Sequence, residues 1–310
     1  MTVALITHPA CLEHDTGAWH PECPDRLRYV LRALEAEEFL PLLRESAPEA
    51  TVEQLTRVHP EDYVSAILAI RPAPGEQVPL DADTLMSAGS REAALRAAGG
   101  AVMGVDAVMD GWATTCFVAT RPPGHHAERS RPMGFCLFAN AAIAARHAQA
   151  RWGLDRVAVV DFDVHHGNGT QALFASDSSL FYGSSHQYPC YPGTGAEEET
   201  GVSHNVVNAP LPPGSAGDAF RAAWDGKILP ALDRFAPQLL IVSAGFDAHK
   251  MDPLAQLRLE TADFGWITGK LLELADVHCG GRLVSVLEGG YDLDALAASA
   301  ALHVRTMLHA

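Results

Sequence analysis

The stretch Val157-Ala158-Val159-Val160-Asp161-Phe162-Asp163-Val164-His165-His166-Gly167-Asn168-Gly169 opens with four apolar residues and runs without a break into acids and histidines. Its opening shows no polar alternation, which predicts a strand buried on both faces, as in a parallel sheet. The same design recurs at Val3–Ile6, Thr115–Ala119, Leu180–Tyr182, Leu239–Val242 and Leu283–Leu287, each closely followed by Gly, Pro, Asp or His. Between these runs lie helical patterns: the Ala-rich Arg91–Met109 behind Ser90, then Asn140–Ala150, Ala219–Phe235 and Asp292–Leu308. Strands that alternate with helices predict an α/β fold, a central parallel sheet with helices on both faces. The Pro/Gly-rich stretches Arg71–Gly75 and Pro210–Gly214 are expected to be loops. No repeat, low-complexity tract or linker divides the 310 residues, so one domain over 1–310 is expected.

Apolar residues make up 48% of the chain, enough for a large core, and the formal charge is −16. Such acidity excludes broad binding to nucleic-acid phosphates, which needs a basic footprint, and otherwise bears on solubility. No segment approaches the roughly 20 apolar residues that cross a bilayer, so no membrane partner is expected. The N-terminus shows no signal-peptide pattern. Cys11, Cys23, Cys116, Cys136, Cys190 and Cys279 are scattered and form no CxxC pair. They predict no disulfide framework and a reducing, cytoplasmic setting. Nothing in the sequence speaks against a homo-oligomer.

Ligands of open α/β sheets bind beyond the carboxyl ends of the strands, and the polar clusters fall there. In extended chain alternate side chains share a face, so Asp161, Asp163 and His165 project one way, and Phe162 and Val164 the other. A buried Asp–His pair at a strand end is a common structural feature. Three such groups in alternation before Gly-Asn-Gly fit a cation better, since two convergent carboxylates desolvate badly alone. Asp247, after the strand Leu239–Val242, adds a third ligand, although a lone acid there is most often a helix cap. Asp163, His165 and Asp247 then leave an open position, as catalytic zinc requires. Two carboxylates are hard ligands, which makes Fe²⁺ an alternative occupant in the cell.

The loop Arg121-Pro122-Pro123-Gly124-His125-His126 presents a histidine pair after another strand end. Adjacent histidines can be surface decoration. They can also divide acid and base duties in amide hydrolysis by a metal-activated water. With Asp161 orienting His125 and Asn168 orienting His126, the carboxylate favours imidazolium while the amide leaves the pKa lower. His126 is then the expected base and His125 its electrostatic partner. Tyr291, after Glu288-Gly289-Gly290, either packs on the surface or donates its hydroxyl to a developing oxyanion.

Together these blocks resemble the histone deacetylase and acetylpolyamine amidohydrolase superfamily. The matching segments are RPPGHHA at 121–127, MGFC at 133–136, DFDVHHGNGT at 161–170, YPGTG at 191–195, SAGFDAH at 243–249 and EGGYDL at 288–293. His20-Pro21-Glu22 with Pro24 and Arg26 adds an N-terminal signature. The resemblance spans nearly the whole chain and implies an arginase/deacetylase-like fold. It implies Zn²⁺ on Asp163, His165 and Asp247, with His125, His126 and Tyr291 as catalytic groups. Gly134 would offer a carbonyl to the substrate amide, and Phe135 and Tyr191 would wall the channel. A structural K⁺ is implied at Asp161, Asp163, His165, Ser184 and Ser185. A second, peripheral K⁺ is implied at carbonyls around Phe174, Asp177 and Leu180.

The departures are informative. Asn168 stands where many nuclear members carry Asp, as in the class II branch, and Tyr191 replaces the usual phenylalanine. A dimanganese ureohydrolase on the same fold would need carboxylates where Gly167 and His249 stand. A non-catalytic acyl-lysine module would have lost Tyr291 and the histidine pair. The remaining choice lies between acylated lysine in protein or peptide and acetylated polyamine. In the polyamine-selective branch a glutamate stands two residues after the Asp of an Asp-Pro step. Here that step is Asp252-Pro253 and the residue is Leu254, whose neutral side chain suits an acyl-lysine stem. Glu22 is the candidate carboxylate for the alternative.

Overall fold

The structure, a computed structural model, describes residues 1–310. Its strands are β1 Val3–Thr7, β2 Leu43–Ser46, β3 Val78–Pro79, β4 Leu85–Met86, β5 Thr115–Val118, β6 Val157–Asp161, β7 Leu180–Gln187, β8 Val206–Leu211, β9 Leu239–Ala244 and β10 Leu283–Leu287. Strands β3 and β4 form a small antiparallel hairpin, and the other eight make one parallel sheet ordered β2-β1-β5-β10-β9-β6-β7-β8. The helices are α1 Pro24–Ala33, α2 Val52–Thr56, α3 Glu61–Ala69, α4 Ser90–Met109, α5 Asn140–Trp152, α6 Asn168–Phe174, α7 Gly217–Ala223, α8 Leu229–Phe235, α9 Thr261–Cys279 and α10 Leu293–His309.

The central strands β1, β5, β6, β9 and β10 are largely apolar because each serves two cores. Ala4, Ile6, Cys116, Val118, Val157, Val159 and Ile241 pack with α4 and α5 on one face. Val3, Leu5, Phe117, Ala158, Val160, Leu240 and Val242 pack with α1, α9 and α10 on the other. The two cores hold 42 and 40 buried residues, so neither face is the minor one and the architecture has three layers. At roughly 25 cal/mol per Å² of apolar area, burial on both faces is what makes an unalternated strand favourable.

Several elements differ from the sequence reading. Strands β2 and β8 are additional; β2 is exposed along its length and polar, so it carries no apolar signature. Pro210 and Leu211 still belong to strand β8 rather than to a loop, which their position on the sheet edge permits. Strand β7 continues past Tyr182 through Ser184, Ser185, His186 and Gln187, all buried and hydrogen-bonded. Helix α9 was not expected, although Phe264, Ile267, Leu271 and Ala275 recur at helical spacing on its buried face. The segment Ala219–Phe235 is helical, but a π-turn at Trp224–Ile228 separates α7 from α8.

The topology dictates where a site can form. The chain leaves β6 toward β7 on one side and leaves β9 toward β10 on the other. The two connections diverge and open a crevice at the carboxyl ends of β6 and β9, the switch point of an open sheet.

Candidate active site

Four adjacent strands, β5, β10, β9 and β6, deliver the polar groups to that crevice. Beyond β6, Phe162 and Val164 turn into the second core, which drives Asp161, Asp163 and His165 toward the opposite side. Asp247 arrives from β9. One ligand atom from each of Asp163, His165 and Asp247 lies within 4.8 Å of the others, and all three residues are buried. His165 Nδ1 stands 3.2 Å from Asp163 Oδ1 and 3.1 Å from Asp247 Oδ2. The outer oxygens are held as well: Gly289 N–H donates to Asp163 Oδ2 at 2.8 Å and Val164 N–H to Asp247 Oδ1 at 2.8 Å. Gly289 is required here, because a Cβ would collide with both carboxylates.

Burial, with the Asp163 charge next in size, pushes the Asp247 carboxyl up to about 7. Burial opposes ionisation of Asp163 too, but the adjacent His125 and His165 outweigh it and hold that carboxyl below its usual range. Two buried carboxylates and an imidazole this close, with oriented backbone donors behind them, fit a divalent cation with hard ligands.

The histidine pair sits beside this cluster, ring centroids 4.0 Å apart. His125 Nδ1 is 3.0 Å from Asp161 Oδ2, an oxygen that also accepts from Tyr182 Oη at 3.0 Å. Burial would lower the His125 pKa, but the charges of Asp163 and Asp161 overcome it and raise it to about 10. His126 Nδ1 is 2.8 Å from Asn168 Oδ1. Burial, together with the positive neighbours His125 and His165, keeps His126 well below the ordinary histidine range. The surroundings thus push the two rings in opposite directions.

His126 and His165 line one cavity of about 200 Å³, together with Gly134, Phe135, Tyr191, Leu254, Tyr291 and Asp83. Gly134 takes φ 56°, and a Cβ there would strike the His126 ring. Tyr191 meets the His126 ring edge-on at 5.1 Å, and Phe135 meets Tyr291 at 5.8 Å. Burial raises the Tyr291 phenol well above its usual pKa, so its hydroxyl stays a donor. Asp161 pairs with Ser184 across β6 and β7. Ser184 Oγ is 2.9 Å from His186 Nδ1, and Ser185 Oγ accepts from Trp224 Nε1 at 2.9 Å.

Two expectations need correction. Glu22 lies outside the channel: it is wholly buried and bonds both Arg26 and Arg121, so its charge is already matched. The carbonyls of Phe174, Asp177 and Leu180 converge on Asn205 Nδ2 at 2.9, 3.0 and 2.8 Å. An amide thus supplies the positive end where a peripheral K⁺ is expected, and the three carbonyls are satisfied without that second ion.

Other roles are visible only in the structure. Glu288 Oε2 accepts from Gly124 and His125 N–H at 2.6 and 3.1 Å, fixing the histidine loop. Asp252 Oδ2 accepts from Tyr291 N–H at 2.7 Å. Arg26 donates to Gly290 and Glu288 carbonyls at 2.5 Å each, and its guanidinium lies 4.8 Å from the Tyr291 ring centre. Glu288 shares with Asp247 the signal of an acid just past an apolar strand. Asp83 stands far from every other motif, and no sequence signal marks it.

The histone deacetylase domain profile matches residues 20–307. A histone deacetylase-like amidohydrolase of Pseudomonas aeruginosa is 42% identical over 91% of this chain and 77% of its own length. A probable deacetylase of Archaeoglobus fulgidus is 37% identical over 95% of this chain and 82% of its own. The crystal structure of the HDA15 HD domain superposes with a TM-score of 0.93 at 35% identity, covering 99% of this chain and 88% of that one. With the profile spanning most of its length, the chain belongs to the histone deacetylase family and has the arginase/deacetylase-like fold.

Proposed function

We propose that the protein is a zinc-dependent hydrolase, a single catalytic domain over 1–310, that removes acetyl or related acyl groups from lysine side chains of proteins or peptides. The observation that carries this reading is the single cavity that brings His126, Tyr291 and the metal-type ligand His165 to one end of an aromatic-walled channel. Asp163, His165 and Asp247 would hold Zn²⁺, with Fe²⁺ as the alternative, and the ion supplies Lewis-acid polarisation of the acyl carbonyl and a more acidic water.

The protein's own groups do the rest. His126, kept neutral, takes a proton from the attacking water and can return it to the departing amine. His125, kept protonated by Asp161 and Asp163, supplies positive charge beside the developing oxyanion. Tyr291 donates its hydroxyl to that oxygen. Phe135 and Tyr191 surround the alkyl stem, and Gly134 offers its carbonyl to the amide N–H. A structural K⁺ is proposed among Asp161, Asp163, His165, Ser184 and Ser185. The six unpaired cysteines support a reducing compartment such as the cytoplasm, and no helix is long and apolar enough to cross a membrane.

A second reading, hydrolysis of acetylated polyamines, draws support from Asp83, a carboxylate on the cavity wall. The test of the main reading is chelation: metal-free protein should lose turnover of an acetyl-lysine peptide and regain it with Zn²⁺, Co²⁺ or Fe²⁺. Hydroxamates should inhibit the loaded enzyme. Full activity without metal would overturn the assignment.

A further inference from the structure

At the opposite end of the sheet from the channel, the amino ends of β6, β7 and β8 surround a hollow of about 340 Å³. Arg156, Arg234, His204, Ser178, Ser203 and Phe235 are among its lining residues, and none of the lining residues is a carboxylate. In a chain of net charge −16, two arginines facing one hollow without a compensating acid stand out.

The acids nearby in sequence are committed elsewhere or do not reach. Asp177 bonds Arg146 at 2.6 Å and Ser179 Oγ at 2.6 Å. Asp233 bonds His278 at 2.8 Å. Asp155 makes no ion pair with Arg156 within 4 Å. Arg156 spends only Nε, on the Ala236 carbonyl at 2.9 Å, so its two terminal nitrogens are free. Arg234 makes no side-chain hydrogen bond or ion pair.

The polar rim residues Arg156, Ser178, Ser203, His204 and Arg234 are exposed, and the buried Asn205 anchors the base. Asn205 pins the carbonyls of Phe174, Asp177 and Leu180 beneath it. His204 takes φ 52°, a left-handed conformation that histidine adopts more readily than most residues, and it is exposed at the rim. The rings of Phe181 and Phe235 lie 5.3 Å apart, tilted by 36°, and form an apolar wall. Planar guanidinium forks with hydroxyl donors beside them match the oxygens of a phosphate dianion, and an adjoining aromatic wall suits the carbon part of an ester.

We propose that this hollow is a second ligand site, which binds the phosphate group of a small phosphate monoester or of free phosphate. The test is calorimetric titration of the full chain with inorganic phosphate and with glycerol phosphate. Wild type, Arg234→Gln and Arg156→Gln/Arg234→Gln would be compared. Saturable binding is expected, weakened by about tenfold or more in Arg234→Gln, the loss of one charge-assisted bond. Arg234 makes no internal bond, so the single variant should fold even if loss of the Arg156 contact perturbs the double one. Tighter binding of glycerol phosphate would identify the ester as the ligand type, and tighter binding of inorganic phosphate the free ion. Absence of saturable binding, or equal affinity in wild type and Arg234→Gln, overturns the proposal.

Discussion

Asn168 presents its carbonyl oxygen, not its amide nitrogen, to Nδ1 of His126. The orientation follows from the other end of the side chain, where Nδ2 lies 2.8 Å from Glu128 Oε1. A carboxylate oxygen accepts hydrogen and does not return one, so the nitrogen must face Glu128 and Oδ1 must face His126. Nδ1 of His126 therefore carries the hydrogen, and Nε2 is left as a free lone pair in the cavity.

This pairing predicts a pH effect. Burial and the neighbours His125 and His165 hold His126 well below the ordinary histidine range, and the hydrogen bond to a neutral amide is too weak to reverse this. Replacing that amide with a carboxylate would favour the imidazolium and raise that pKa. Since the neutral form is the base, the acid limb of kcat/KM should move to higher pH by about one unit or more in Asn168→Asp. The change is best made with Glu128→Gln, so that the new carboxylate is not itself protonated by its neighbour. A pH–rate profile with an unmoved or lowered acid limb would show that His126 is not the titrating base.

The two histidines should also separate under mutation. His126→Ala removes the proton acceptor and should lower kcat by roughly 10²–10⁴. His125→Ala removes a charge that Asp161 and Asp163 hold in place, and it should retain more activity. At the alkaline side, His125 loses its proton no higher than about 10, and a cation on Asp163 would draw that value down. Activity should therefore decline as pH rises toward 10. Equal losses in the two alanine variants, or the reverse order, would mean that the roles are exchanged.

What the sequence reveals, and what it hides, follows from how local each signal is. Val157–Val160 and Leu239–Val242 are legible because a strand buried on both faces must be apolar at every position. Strand β2 belongs to the same sheet but lies on its edge and is exposed, so nothing forces its composition. The polar half of β7 is hidden for the opposite reason: its side chains are buried because His186, Trp224 and Gln256 satisfy them, a fact available only in three dimensions. The candidate site divides likewise. Asp163, His165 and Asp247 are found from strand-end grammar. Glu22 is a candidate carboxylate for a polyamine only while its pairing with Arg26 and the distant Arg121, which the sequence does not show, is out of sight. Asp83 reaches the cavity through a loop that no periodicity describes.

Tyr291 is supported from behind by two groups that never enter the cavity. Asp252 holds its backbone N–H, and Arg26 binds the carbonyl of Gly290 while lying against the ring. With the backbone so fixed, Tyr291→Phe should leave the fold and substrate binding nearly intact. Loss of one oxyanion donor should lower kcat by roughly 10²–10³ with little change in KM. A variant within about threefold of wild type in kcat would place the oxyanion donor elsewhere.

The choice between acyl-lysine and acetylpolyamine turns on charge along the channel. An acylated lysine brings a neutral alkyl stem past Leu254, whereas a polyamine brings further ammonium groups that lose hydration there. Leu254 offers no compensation, and its apolar side chain is the better match for the stem. Asp83 does offer a carboxylate, but it is only half-buried, so solvent screens its attraction and it cannot fully replace the lost hydration. The acetyl-lysine peptide should therefore have the higher kcat/KM when compared with N8-acetylspermidine. Leu254→Glu should shift that ratio toward the polyamine by about tenfold, the worth of one partly buried charge pair. Asp83→Asn should weaken polyamine turnover more than it weakens peptide turnover, because only the polyamine carries a full charge to that wall. A wild-type preference for the polyamine would overturn the lysine assignment. If Asp83→Asn then abolished that preference, the screening argument would be the step that failed, and Asp83 would be the carboxylate that selects the substrate.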